Sequence, residues 1–421
     1  MKTIKIIQNI ILAEARLNFL TKYYVKGLNL ISHCDYLIKN FLFKIFPLFN
    51  KSNKIPFRYS KAKIWLEKTL SKNDFDIIEI HPATVIKRKL PKTIDKEIHW
   101  NFRKEYKSKM SSTFVIGIKN GRVYGENGAI ITPDGTLLDD VSIQLGSLPY
   151  GHKIFRKIRF PEIIRTNKVV AALATDGGNF YFHWIINVLP RIHLLNKSNL
   201  RVDKYLINYQ NKPFQNESLK LLNIDLKKII PSSNNLYLES SRLIVPSLVN
   251  NDPGQMPKWA CDYLRESFLP HLNRIRKSNT KYSKYIYISR NKASGRKILN
   301  ENEIFKNVLD KYKFSKIYLE DLSFIDQIKI FNDAEFIISP HGAGFANLVF
   351  CKPKTKIIEI FSPNFINPCY YLLSNIVDLD YFYLLGKSKK HHNNAELFGI
   401  RNNINVDLIM FKNLLELIEI S

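Results

Sequence analysis

Glu335-Phe336-Ile337-Ile338-Ser339-Pro340-His341-Gly342-Ala343-Gly344-Phe345-Ala346-Asn347 is the stretch whose reading decides the fold. Residues 335–339 have the apolar, β-branched make-up of a buried strand, and a glycine-containing turn and a short helix follow directly. Glycines there permit a tight turn and expose main-chain N–H groups, while the helix start adds partial positive charge, a setting suited to a phosphate. The stretch has no Lys-Ser/Thr ending, so it is not a P-loop, and it does not spell G-x-G-x-x-G, so it carries no dinucleotide fingerprint. The next strand, residues 356–360, brings Glu359 near its end, a carboxylate that could accept from a ribose or serve as a cap or ion-pair partner.

Working outward, the same alternation repeats. Residues 285–289 and 317–319 read as strands, and Asn300-x-x-Glu303 has the side chains to cap a helix between them. Upstream, 168–172, 204–208 and 242–246 are strand-like, with helical patterns over 182–196 and 215–222. Short buried strands alternating with helices imply parallel sheets with covered faces. Between 77 and 146 the period shortens to β-rich runs, 114–118 and 128–131, parted by the turns Asn120-Gly121 and Pro133-Asp134-Gly135, which predicts hairpins. A last helix, 406–420, carries an apolar stripe. The expected organisation is a basic amphipathic region over 1–76, an N-terminal domain over 77–275, a second α/β domain over 276–390, and a loop and helix over 391–421 that pack back.

The 421 residues are 45% hydrophobic, with 27 Phe and 21 Tyr, which excludes a disordered chain. Lys and Arg exceed Asp and Glu by 64 to 37, a net +27, so an anionic partner is expected: nucleic acid, an acidic membrane surface, an acidic polymer or a phosphorylated ligand. The basic residues are spread along the chain and no RNA-binding motif or finger spacing is present, so nothing points to a specific nucleic-acid groove. Cys34, Cys261, Cys351 and Cys369 are far apart and form no metal-ligand spacing, as a reduced, cytosolic interior predicts. Residues 2–12 are too short and too interrupted for a leader, and no apolar run is long enough to span a membrane. Lys39 and Lys44 among the apolar residues 37–46 suit either a core-facing helix or one lying on an anionic bilayer.

Three groups of residues can carry chemistry. Gly177-Gly178 precede a helix whose first turn holds His183, placed to act as a general base or hold a phosphate, or simply to bond a carbonyl; Arg191 follows. Arg290 stands just beyond a strand end, where open α/β sheets bind ligands, and with Arg296, Asn300 and Glu301 it forms either a diphosphate grip or a solvated basic loop. The third group is the opening stretch, with His341, Gly342, Ala343, Gly344 and Asn347. The D-x-D strings at 74–76 and 378–380 are short enough to arise by chance, and no metal is expected; His391-His392 reads as a solvated loop.

Taken in order, FYFHWIINVLPR at 180–191, YISR at 287–290 with Arg296 and Asn300-Glu301, LSFIDQIKIFNDAEFIISPHGAGFANLVF at 322–350 and KIIEIF at 356–361 resemble the family 61 glycosyltransferases, the capsular polysaccharide biosynthesis or DUF563 family. The resemblance covers about residues 165 to 385. It implies a GT-B-like α/β architecture, two Rossmann-like domains facing across a cleft, and metal-independent, inverting transfer from a nucleotide sugar. On that reading His183 is the base, Arg191 orients acceptor or phosphate, Arg290 and Arg296 with the backbone at 341–344 stabilise the diphosphate, and Asn347 and Glu359 contact the nucleoside or shape the pocket. It also implies a glycan or lipid-linked acceptor in bacterial capsule or lipopolysaccharide assembly, and a cytoplasmic protein whose basic N-terminus meets the inner face of the membrane. The competing expectation is a non-catalytic protein that binds polysaccharide or nucleic acid on a transferase-like fold.

Overall fold

The computed structural model describes residues 55–69, 75–157, 159–252, 254–274, 282–388 and 401–418. The 37–46 amphipathic stretch, the residues read for a leader, Cys34, Asp74 and His391-His392 lie outside the described residues.

The chain is a mixed α/β protein built on two main sheets. The first ten-stranded sheet and a small accessory pair take β1 (Arg58–Ser60), β2 (Phe75–His81), β3 (Thr84–Lys87), β4 (Lys107–Met110), β5 (Thr113–Lys119), β6 (Arg122–Tyr124), β7 (Ala129–Ile131), β8 (Thr136–Leu138), β9 (Ile164–Ala172), β10 (Lys204–Ile207), β11 (Ile229–Pro231) and β12 (Tyr237–Pro246). Here β3 and β4 form the accessory pair. The second sheet holds β13 (Tyr285–Ile288), β14 (Ser315–Ile317), β15 (Phe336–Pro340), β16 (Lys356–Phe361) and β17 (Asp380–Leu385).

Strand β12 is the pivot of the first sheet. Its opening residues pair antiparallel with β6 and its closing residues with β5, while its other edge runs parallel to β9, with Leu243 opposite Val170. Of the hairpins expected between 77 and 146, β6–β7 and β7–β8 are present, the second about the turn where Gly135 takes a positive φ; Asn120, also at positive φ, turns the chain between β5 and β6, which do not pair with each other but both pair with β12. The parallel part runs β12-β9-β10-β11, so the chain order reverses between β9 and β12.

The second sheet is parallel throughout, in the order β14-β13-β15-β16-β17, and its order reverses between β13 and β15. Its central strands YIYI, FIISP and KIIEIF are almost wholly buried, as a sheet covered on both faces requires. The expected strand at 317–319 is shorter: β14 ends at Ile317, and Leu319–Asp321 turns into a 3-10 helix. Asn300 does sit at the start of the helix Glu301–Ile304, but its side chain does not cap it; the amide bonds both N–H and C=O of Val406 and ties down the approach to the last helix, Leu408–Leu417. Asp407 caps that last helix.

One hydrophobic core is shared by both halves. Leu173, Ile207 and Ile244 of the first belong to the same cluster as Ile286, Ile337 and Ile357 of the second, joined by Phe268, Phe324 and Phe350. Polar caps cross the same junction. The Glu217 carboxylate accepts from the N–H groups of Phe324 (2.8 Å) and Ile325 (3.2 Å) at the start of the helix Phe324–Asp333. Arg265 donates to the carbonyls of Val349 and Cys351.

The segment after β3 does not stay with the first sheet. Lys92 pairs with β17 through two main-chain bonds of 3.1 Å, the N–H of His99 donates to the Tyr383 hydroxyl, and Phe102 packs edge-on against Tyr371 and close to Tyr383. A strap from the N-terminal half therefore covers the edge of the second sheet, within the span 77–275 that the sequence assigns to the N-terminal domain. Among the described residues no helix is long and apolar enough to cross a membrane, and Cys261, Cys351 and Cys369 are buried free thiols.

Candidate functional site

Parallel strands leave their carboxyl ends facing one way, and ligands enter where the strand order reverses. The molecule has two such crevices, and their contents differ.

At the first, between β9 and β12, sits the Arg191 guanidinium. It is 1% exposed, and it makes five bonds to main-chain oxygens, those of Ala172, Leu173 and Ala174 at the end of β9 and just past it and of Pro246 and Ser247 at the end of β12 and just past it, at 2.7–3.5 Å. Burial pushes its pKa down to about 9, and the converging carbonyl dipoles balance the charge that remains. Every N–H of the guanidinium is occupied, which corrects the expectation that Arg191 orients an acceptor: it closes this crevice.

The second crevice, between β13 and β15, is where Arg290 and the opening stretch meet. Arg290 follows β13, and its Nε and Nη2 donate to the Gly295 carbonyl at 3.3 and 3.1 Å. Its Nη1 lies so close over Gly342 that a Cβ there would sit 2.0 Å away. Arg296 enters from the loop, at a φ of 57°, and its Nε donates to the His341 carbonyl at 2.8 Å. Burial together with the charge of Arg296 pushes the Arg290 pKa down to about 10, and burial lowers that of Arg296. Arg296 repels Arg290, an effect that Glu320 offsets only in part, so an anion between the two guanidiniums would relieve the site. The helix Ala343–Phe350 opens directly beneath, with Gly342 at its cap and Gly344 packed where a Cβ would meet Leu319 at 2.3 Å.

His341 is 6% exposed. Its Nδ1 lies 2.5 Å from Oε1 of Glu359, which is itself fully buried and accepts from the Tyr381 hydroxyl through Oε2. The imidazole stacks on Phe361 and meets Phe365 and Tyr370. This corrects the expectation for Glu359: the residue stands opposite Ser339 in mid-strand, with both oxygens spoken for, and does not reach a ribose. Tyr370 was not anticipated from the sequence. Its ring contacts His341, Phe345 and Phe182, and its hydroxyl, held neutral by burial, lies within the electrostatic reach of both arginines. A tyrosine opening a helix after an unremarkable loop carries no local signal of this position.

Asn347 and Glu301 turn inward. Asn347, fully buried, accepts from the Tyr181 hydroxyl at 2.7 Å and donates to Gln327, so it joins the two halves. Glu301, also buried, accepts from Asn291 (2.6 Å) and pairs with Lys316 at 3.2 Å. With Asn300 bound to Val406, these three expected donor contacts instead shape the walls of the crevice.

His183 approaches from the other half. The expected helix over 182–196 is broken: Tyr181–His183 is one turn, Trp184–Val188 widens to π geometry, and the helix Pro190–Ser198 restarts it. The π turn sets Asn187 against His183, with the amide nitrogen 2.8 Å from Nδ1. Gly177, at a φ of 73°, lies under the ring, where a Cβ would fall 2.6 Å from Cδ2. Burial lowers the His183 pKa, opposed in part by Asp176, so the ring is neutral at neutral pH. Tyr181 bound to Asn347, and Phe182 edge-on to Tyr370, place this turn against the arginine crevice.

Asp378 of the second D-x-D string is exposed and paired with Lys89 and Lys354. Among the described residues no group of three or more His, Cys, Asp or Glu is placed to hold a metal ion.

The site spans the stretch from Tyr181 to β16, and the glycosyltransferase 61 family model matches residues 181–358. Residues 181–358 belong to the glycosyltransferase 61 family. The chain is similar to a beta-1,2-xylosyltransferase of Arabidopsis thaliana, 31% identical over 97 residues covering 20% of this chain and 18% of the relative. It is also similar to an EGF domain-specific O-linked N-acetylglucosamine transferase of Drosophila melanogaster, 31% identical over 97 residues (23% and 18%). A protein O-linked-mannose beta-1,4-N-acetylglucosaminyltransferase 2 of Mus musculus is 28% identical over 82 residues (19% and 14%). The alignments thus span under a fifth of the length of each of these three relatives.

Proposed function

We propose that the chain is an inverting, metal-independent glycosyltransferase of GT-B-like architecture, which moves a sugar from a nucleotide-sugar donor to a glycan or glycolipid acceptor of a bacterial surface polysaccharide. The observation that carries this reading is the pair Arg290 and Arg296 over Gly342 at the reversal between β13 and β15. Two guanidiniums and the helix start beneath them supply the positive charge that stabilises the negative charge a departing nucleoside diphosphate develops, the part a divalent ion would otherwise play. The relatives named for xylosyl and N-acetylglucosaminyl transfer support a pentose or an N-acetylhexosamine as the sugar.

Inversion needs a base on the face opposite the leaving group. His183 is the candidate. It is neutral through burial, and its turn docks on Tyr370 beside the arginines. Acting as base through Nε2, it needs the Asn187 amide to present its oxygen to Nδ1–H, the orientation that leaves Nε2 unprotonated. The net charge of +27 suits an acidic polysaccharide or lipid-linked acceptor at a cytoplasmic membrane face.

The test is thermal stabilisation by a panel of nucleoside diphosphates and nucleotide sugars with EDTA present, run beside Arg290→Ala. A rise in Tm for one nucleotide that vanishes in the variant is expected. The charge also favours a second reading, plain polyanion binding; a steeply salt-dependent affinity for nucleic acid or polysaccharide, indifferent to Arg290, would replace the transferase reading with it.

A further inference from the structure

We propose that binding of the donor diphosphate is coupled to protonation of His341, which Glu359 and Tyr381 hold in place as a third positive donor to the leaving group. The inference rests on the transferase reading of the same crevice.

The geometry begins with Glu359. A fully buried carboxylate that accepts from His341 Nδ1 at 2.5 Å and from the Tyr381 hydroxyl has its proton partners on both oxygens, so Nδ1 carries hydrogen and the ring cannot turn away. Stacking on Phe361 fixes the plane. Among the described residues, the far nitrogen, Nε2, has no hydrogen bond beside the one that Nδ1 makes. Gly342, the next residue, is the one on which Arg290 Nη1 rests, so the imidazole is a neighbour of the anion grip.

The groups that face His341 are Glu359 on β16, Tyr381 on β17, Cys369 and Tyr370 on the helix Cys369–Ile376, and Arg290 and Arg296 on the loop after β13. Burial raises the pKa of Cys369, Tyr370 and Tyr381 well above the usual values, so these three are neutral. What remains is one buried negative charge, which favours an imidazolium, against two guanidiniums, which oppose it. These influences act in opposite directions while the crevice is free of anion. A bound diphosphate offsets the guanidiniums and tips the balance, and the proton is taken up from solvent at Nε2. When the bond between the sugar C1 and the phosphate oxygen breaks, its electron pair goes to that oxygen and Nε2–H donates to the developing charge. The acceptor oxygen forms the new bond to C1 and gives its proton to the base on the other side. Glu359 does not touch the substrate; it is a positioning residue that acts through His341.

The test is titration calorimetry of the full chain with UDP-, GDP- and ADP-sugars in buffers of different ionisation enthalpy, from pH 6 to 8.5, where the diphosphate diester has no proton of its own to gain. The wild type should take up a proton on binding, and affinity should weaken by up to about tenfold per pH unit over the part of the range where the uptake nears one. His341→Gln, and Glu359→Gln, which keeps shape and an acceptor for Nδ1–H while removing the charge, should each abolish the uptake and flatten the profile. His183→Gln should retain it. Thermal melts of each variant establish that it is folded. Binding that depends on Arg290 yet takes up no proton, or an uptake that survives His341→Gln, overturns the coupling and leaves the transferase reading standing. Binding of none of these sugars, or binding indifferent to Arg290, overturns both.

Discussion

Arg191 and Arg290 are read from sequence in the same way, each a cation near a motif of small and aromatic residues, and the structure gives them opposite work. Arg191 spends all its N–H groups on strand-end carbonyls, whereas Arg290 leaves Nη1 over a glycine. Arg191→Ala should therefore lower the folding free energy by about 3 kcal/mol, because it leaves several buried carbonyls without a partner. Urea unfolding checks this, and an unchanged midpoint with lost activity would return Arg191 to the reaction. The place of Arg290 just beyond a strand end was legible, because reading it needs only the position of the strand. Glu359 was not. Period-two alternation puts it with Ile357 and Phe361 on one face of β16, but which neighbour covers that face is decided by pairing with β15, a contact between residues far apart in the chain.

At the scale of elements, alternation of strand and helix after residue 165 was legible, since buried parallel strands announce themselves as unbroken apolar runs. The π turn at Trp184–Val188 was not, because the residues have ordinary helical spacing and the extra width is imposed by packing. That element and its neighbours also join a cluster outside the site. His81, closing β2, lies 3.2 Å by Nε2 from Nε2 of His193, and the indole of Trp259 stacks over both rings. Burial lowers both histidine pKa values, helped by Lys197, and that of His193, lowered further by His81, falls to about 4; His152 is likewise lowered to about 4 by burial. Their unfolded value is about 6.5. Between about 6.5 and 4 the unfolded chain binds protons that the folded chain refuses, so this contribution to stability is present above pH 6.5 and lost as the pH falls toward 4. Tm measured from pH 7.5 to 4.5 should decline, and His193→Gln should decline less steeply; parallel curves would remove the pair from the account.

Across the whole molecule, the two sheets share one core and exchange polar caps through Glu217 and Arg265. Heating should therefore give one cooperative transition rather than two, which calorimetry reads directly. Composition anticipated a globular protein. It could not anticipate the strap that leaves the first half to pair Lys92 with β17, because that pairing joins residues nearly three hundred positions apart and the strap has no periodic pattern of its own.

That strap has a practical meaning for anyone who wants the half built on the second sheet by itself. A fragment cut to begin near residue 282 would strip the cover from β17, leaving a run of unpaired main-chain groups beside the exposed rings of Tyr381 and Tyr383. Bare edges of this kind recruit one another. The excised piece should precipitate or form oligomers, as light scattering would show, and adding a peptide of residues 88–106 in trans, or grafting that peptide ahead of residue 282, should return it to a monomer.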